Sequence, residues 1–102
     1  MQGPTPDDLR RMEELIRTVR ANAGARCAAS GAPLGPHELL VNIALGRKDA
    51  PLALPELAKA ESQALGTLRE RVMNYIAARP CYRGAWLWAS EQAGVIDEMH
   101  PP

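Results

Sequence analysis

Cys27, His37, Cys81 and His100 are the residues of this sequence best suited to hold a soft metal or to form a nucleophile with its base. Structural zinc sites draw their ligands in close pairs from a single turn or knuckle. These four arrive singly, the two cysteines are separated by 53 residues, and there is no C-x-x-C, so no metal is expected. A cysteine nucleophile needs its thiolate stabilised and a base beside it. Nothing in the sequence singles out either cysteine for that role. The expectation is therefore two reduced, buried, inert thiols and an exposed first-turn His37. The sequence also lacks a glycine loop followed by Lys and Ser or Thr, an H-E-x-x-H and a G-x-S-x-G. Neither catalysis nor a cofactor is expected.

A second cluster bears on binding. In "CYRGAWLWAS", residues 81 to 90, lie three of the chain's four aromatic rings, Tyr82, Trp86 and Trp88. On a helix Tyr82 and Trp86 share a face that Ala89 and Ala93 continue, while Trp88 falls about 200° around from Trp86. A tryptophan off the core beside Arg83 has the composition of a binding hot spot, where a ring fills a partner's pocket and a guanidinium anchors a carboxylate. Trp88 and Arg83 are thus the candidate protein-binding residues. The competing fate for Trp88 is cover by the first helix or the carboxyl tail.

The elements that would position these residues follow from composition. A chain of 102 residues with 46% apolar and 24% charged residues makes one globular domain with a modest core. There is no Phe and aromatics total 4%, so the core is Leu, Ala, Ile, Val and Met, which suits helices packed on helices. Net charge is zero, but residues 47 to 83 carry seven basic side chains against four acidic ones. Strong nonspecific attraction to nucleic acid or an anionic membrane is not expected, although a local basic face is allowed. The amino terminus carries acids where an export signal carries bases, and the longest mostly apolar run, "ELLVNIALG", is too short to cross a bilayer. Cytoplasmic residence is expected.

Helix signals punctuate the chain. Thr5-Pro6-Asp7-Asp8 supplies a capping hydroxyl, a proline at the first helical position and an acid three residues after the cap. Leu9, Met12, Ile16, Val19 and Ala23 then recur at helical spacing, with Gly24 as a stop. Arg10 with Glu14 and Glu13 with Arg17 are spaced for surface pairs. "AASGAPLGP" reads as a connection, and Gly35-Pro36-His37-Glu38 opens a second helix that ends near Gly46.

The run "LALPELAKAESQALGTLRERVMNYI", Leu52 to Ile76, allows two foldings. With Glu56-Leu57-Ala58, and then Thr67-Leu68 with Val72, it resembles the helix-turn-helix core of winged-helix regulators over about 20 residues. That resemblance implies DNA binding, with Thr67, Arg69, Glu70, Arg71 and Met73 on the reading helix. The departure lies at the turn: Glu61-Ser62-Gln63 stands where that family has glycine between apolar residues, and no hairpin follows. Helical phase favours the other folding. At about 100° per residue, Leu57, Ala58, Ala64, Leu65, Leu68, Val72, Tyr75 and Ile76 fall within an arc of about 120°. Glu61 alone intrudes, either reaching out at an edge or pairing with an arginine from another helix.

The sequence therefore predicts an all-α domain, a small four-helix bundle with helices near 6–23, 36–46, 55–78 and 82–93 and an extended or frayed tail over 94–102. The expected core is Leu9, Met12, Ile16, Val19, Leu40, Ile43, Leu57, Leu68, Val72, Ile76 and Trp86. The expected function is that of a non-catalytic regulator, adaptor or inhibitor acting on a protein partner. A helix-turn-helix DNA-binding regulator, with the first helix as the candidate dimer contact, is the alternative.

Overall fold

The structure, a computed structural model, describes residues 5–93, and His100 and the predicted tail lie outside them. Those residues form five α-helices: α1 (Pro6–Ala21), α2 (Pro36–Ala44), α3 (Leu54–Ala60), α4 (Leu65–Ala77) and α5 (Pro80–Ala93). The all-α class holds, with five helices in place of the four expected.

Local chemistry starts α1 where the sequence indicates. The Thr5 hydroxyl accepts from the Asp8 N–H at 3.1 Å, and the Asp8 carboxylate accepts from the Thr5 N–H at 3.0 Å. The helix stops two residues earlier than expected, because Asn22 caps it and donates its side-chain amide to the Thr18 carbonyl at 2.8 Å. Its buried seam runs through Leu15 and Val19, with Met12 and Ile16 half-buried beside it. Leu9 is 47% exposed, which corrects its place in the expected core. It lies roughly 80° from Val19 and 120° from Leu15 around the helix, too far to reach the neighbouring helices.

α2 buries most of its length. Leu40 and Val41 are almost inaccessible, and Leu39, Asn42 and His37 are buried with them. The connection before it is an ordered plug, because Cys27 and Leu34 are buried and an isolated bridge joins Arg26 to Pro33. Asn42 clamps the connection after it. Its side chain accepts from the Leu52 N–H and donates to the Leu52 carbonyl, both at 2.9 Å, and donates to the Glu38 carbonyl at 2.7 Å.

α5 packs on α1, α2 and α4. Ala85 and Ala89 are fully buried, and the Met12 thioether lies so close to Gly84 that a β-carbon there would collide with it. Tyr82 and Trp86 share the inward face, as the spacing predicts, and Tyr82 meets Tyr75 edge-on with ring centroids 5.4 Å apart.

The predicted single helix over 55–78 does not form. The chain breaks between Ala60 and Leu65, and Ser62 takes φ +55°. The Ser62 N–H reaches the Lys59 carbonyl at 3.1 Å and the Gln63 N–H reaches the Ala58 carbonyl at 2.9 Å. These two bonds are the Schellman ending of a helix, with serine in the left-handed position that glycine usually fills. Phase agreement across the break arises because both helices face one core. Leu54 and Leu57 of α3, and Leu68, Val72 and Ile76 of α4, are all buried, whereas Ala64 and Leu65 within the predicted arc are exposed.

Candidate nucleic-acid interface

Two short helices joined by a four-residue turn leave most of the second one uncovered. α4 anchors through Leu68, Val72 and Ile76, and each buried aliphatic side chain of this kind contributes about 2 kcal/mol. On the opposite side Thr67, Glu70, Arg71 and Asn74 are exposed. At helical spacing these four fall within roughly 100° of arc, so they form one face. Arg69 is exposed too but lies roughly 160° around from Arg71, on the flank of Met73. Met73 is half-buried and lines a groove between α4 and α5. Of the five residues expected on a reading helix, the structure gathers Thr67, Glu70 and Arg71 and leaves Arg69 and Met73 to one side. Asn74, three residues beyond Arg71 and seven beyond Thr67, joins the face unforeseen; its spacing was the available signal.

The turn is held by charge. Glu61 accepts from Arg47 through Nε at 3.3 Å and Nη2 at 3.2 Å, and its other oxygen accepts from Arg71 at 3.4 Å. The carboxylate thus pairs with arginines outside its own helix, one of the two fates expected for it, and links the α2–α3 connection to α4. Gln63 is less well served: its side-chain oxygen is buried without a hydrogen-bond partner among the described residues. At the far end of α4, Arg79 lies over the Tyr75 ring at 3.6 Å and Arg83 donates to the Ala77 carbonyl at 2.9 Å. Arg83 at that carbonyl, and Arg79, which donates to the Tyr75 carbonyl at 3.3 Å, offset the negative end of the helix dipole.

The two residues expected to bind a protein partner do not share a surface. Trp88 is half-buried against α1, with the Arg20 guanidinium 5.5 Å from its ring. Arg83 lies in the α4–α5 groove beside Leu87, which is 62% exposed.

Three of the residues first considered for chemistry lie among those described. Cys27 and Cys81 are free and buried. His37 is buried, which corrects the expected exposed histidine. α5 covers it, its Nε2 lies 2.9 Å from the Ser90 hydroxyl, and its ring lies 4.3 Å from that of Trp86. Among the described residues no three His, Cys, Asp or Glu side chains gather closely enough to hold a metal. No helix among them is long and apolar enough to cross a membrane.

Cys27 differs from an ordinary buried thiol. Backbone N–H donation from Ala53 and the Ser30 side chain lower its pKa from 9.0 to about 7. Its sulfur accepts from the Ser30 N–H at 3.4 Å.

Comparison of the chain with protein-family models, with curated proteins and with solved structures returns no match.

Proposed function

We propose that this protein is a non-catalytic regulator that binds duplex DNA through α4, as a helix-turn-helix module. One observation carries the reading: the Schellman break at Ser62 separates α4 from α3 and leaves Thr67, Glu70, Arg71 and Asn74 exposed on a single face. A helix with a buried anchoring seam and a polar outer face has the dimensions to enter a major groove. Its side chains are of suitable chemistry: Asn74 can bond an adenine edge, Arg71 a guanine edge or a phosphate, and Glu70 the amino group of cytosine. The zero net charge fits a weak nonspecific component, so affinity would depend on a preferred sequence.

Fluorescence anisotropy with mixed genomic fragments, titrated over salt, tests the reading. Binding is expected at low salt and weakens as salt rises. Arg71→Ala should lower the slope of log affinity against log salt by about one if the residue contacts a phosphate. Asn74→Ala should relax sequence preference while far-ultraviolet circular dichroism stays unchanged. No binding by the native chain at low salt would falsify the reading.

A second reading, an adaptor or inhibitor that binds another protein, has one observation in its favour. The exposed Leu87 side chain lies beside Arg83 in a groove lined by Met73, Ile76 and Trp86. If a defined protein is recovered by the native chain and lost with both Leu87→Asp and Arg83→Ala, this reading displaces the first.

A further inference from the structure

Away from the α4 face, three cations from three separate segments line one open cavity of about 610 Å³. Arg17 comes from α1, Arg26 from the connection that follows it, and Lys48 from the α2–α3 connection; among the described residues Asp49 is the one carboxylate on the wall. None of the three cations is in an ion pair among the described residues, and the Glu13–Arg17 pair that the spacing predicts does not form. Nor are they needed to cap α1. The carbonyls of Thr18, Val19 and Arg20 already receive the Asn22 and Ala23 N–H groups and the Asn22 amide.

The walls are fixed in advance. The Ala28 N–H donates to the Pro51 carbonyl at 2.8 Å, tying two of the segments together. Asn42 holds Leu52, next along the chain from Pro51, and Arg26 donates to the Gly31 carbonyl at 3.0 Å. Concentrated positive charge on a pre-formed, cross-linked wall favours a ligand whose negative charge is equally concentrated. Two guanidinium groups supply forked donors and Lys48 a point charge, the combination that suits tetrahedral oxyanions. The cavity volume is that of a small-molecule site, and Ala21, Ala25 and Pro51 offer apolar wall to the rest of such a molecule.

We propose that this cavity binds a small molecule bearing a phosphate group, held by Arg17, Arg26 and Lys48. The site is independent of the DNA reading, because it shares no residue with the exposed face of α4. Amide chemical shifts of the full chain, titrated with inorganic phosphate, pyrophosphate and adenosine monophosphate against chloride at equal ionic strength, test it. Saturable shifts confined to residues 17–28 and 47–51 are expected. The apparent Kd should weaken about tenfold in Lys48→Ala and in Arg26→Ala, the loss of one charge-assisted contact. Lys48 is exposed and makes no hydrogen bond among the described residues, so that variant keeps the fold if Arg26→Ala does not. A response to adenosine monophosphate stronger than to inorganic phosphate identifies a phosphate ester as the ligand class; an equal response identifies the free anion. Shifts that do not saturate, that centre on α4, or that survive both substitutions would overturn the site. So would a loss of duplex binding in Lys48→Ala and Arg26→Ala as large as that in Arg71→Ala, which would make the cavity part of the DNA footprint.

Discussion

Replacing Ser62 by glycine and, separately, by alanine reverses in sign according to whether α3 and α4 are distinct helices. Ser62 has φ +55° and an exposed side chain, so neither substitution disturbs packing. In the left-handed region a residue with a β-carbon is disfavoured by about 1–2 kcal/mol relative to glycine. Glycine returns part of that by gaining freedom in the unfolded chain, which leaves it ahead of alanine by about 1 kcal/mol. Were residues 55–78 one unbroken helix, the same comparison would favour alanine by about 1 kcal/mol. The two structures therefore differ by about 2 kcal/mol in one measured quantity. Urea unfolding followed by tryptophan fluorescence and circular dichroism reads it. With a denaturant slope of about 1–3 kcal/mol per molar, Ser62→Gly should unfold at a midpoint higher than Ser62→Ala by several tenths of a molar. A higher midpoint for Ser62→Ala would refute the break and, with it, the exposed α4 face.

Two further outcomes rest on other parts of the fold. Asn42→Ala removes both partners of the Leu52 backbone and should destabilise the protein by about 3 kcal/mol, seen as a lower urea midpoint; a loss below about 1 kcal/mol would mean that the clamp is dispensable. In a Cys81→Ser background, thiolate absorbance should titrate with a midpoint of about 7 for Cys27, and a midpoint at 9.0 would remove the N–H donation as its cause. Because the folded pKa is lowered, the stabilisation is fully present above the unfolded value and fades as pH falls from 9.0 through about 7. The native urea midpoint relative to that of Cys27→Ala should accordingly rise with pH across that window.

What was legible in the sequence was local. The capping box of α1 is made by residues three apart, and the shared face of Tyr82 and Trp86 needs only helical spacing. Burial set by distant neighbours was not legible. Leu9 fits the periodic stripe, yet α1 packs along Leu15 and Val19, so Leu9 faces outward. His37 opens a helix, where histidines are usually wet, but α5 lies over it and supplies Ser90. The interface residues were named by resemblance; their division into a face and a flank follows from helical spacing, but which side stays exposed depends on how α4 is rolled against its neighbours. The grouping of Arg17, Arg26 and Lys48 depends on two connections meeting, which no periodicity records.

The same turn explains why phase misled and why the chain nevertheless breaks. Continuing the helix would keep Glu61 within the apolar arc, and an unpaired carboxylate taken from water costs several kcal/mol. Breaking it at Ser62 costs about 1–2 kcal/mol of left-handed strain and leaves the Gln63 side-chain oxygen without a partner among the described residues, about 1–3 kcal/mol more. It moves Glu61 to an edge where Arg47 and Arg71 both reach it, with about a quarter of the side chain still in water. Those paired, partly wet contacts avoid the desolvation that an unbroken helix would impose. Glu61, which departs from the glycine-centred pattern, is thus a residue that selects the turn. By pairing with Arg71 it also sets the charge of the α4 face, because the one basic group of that face is already shared with the turn.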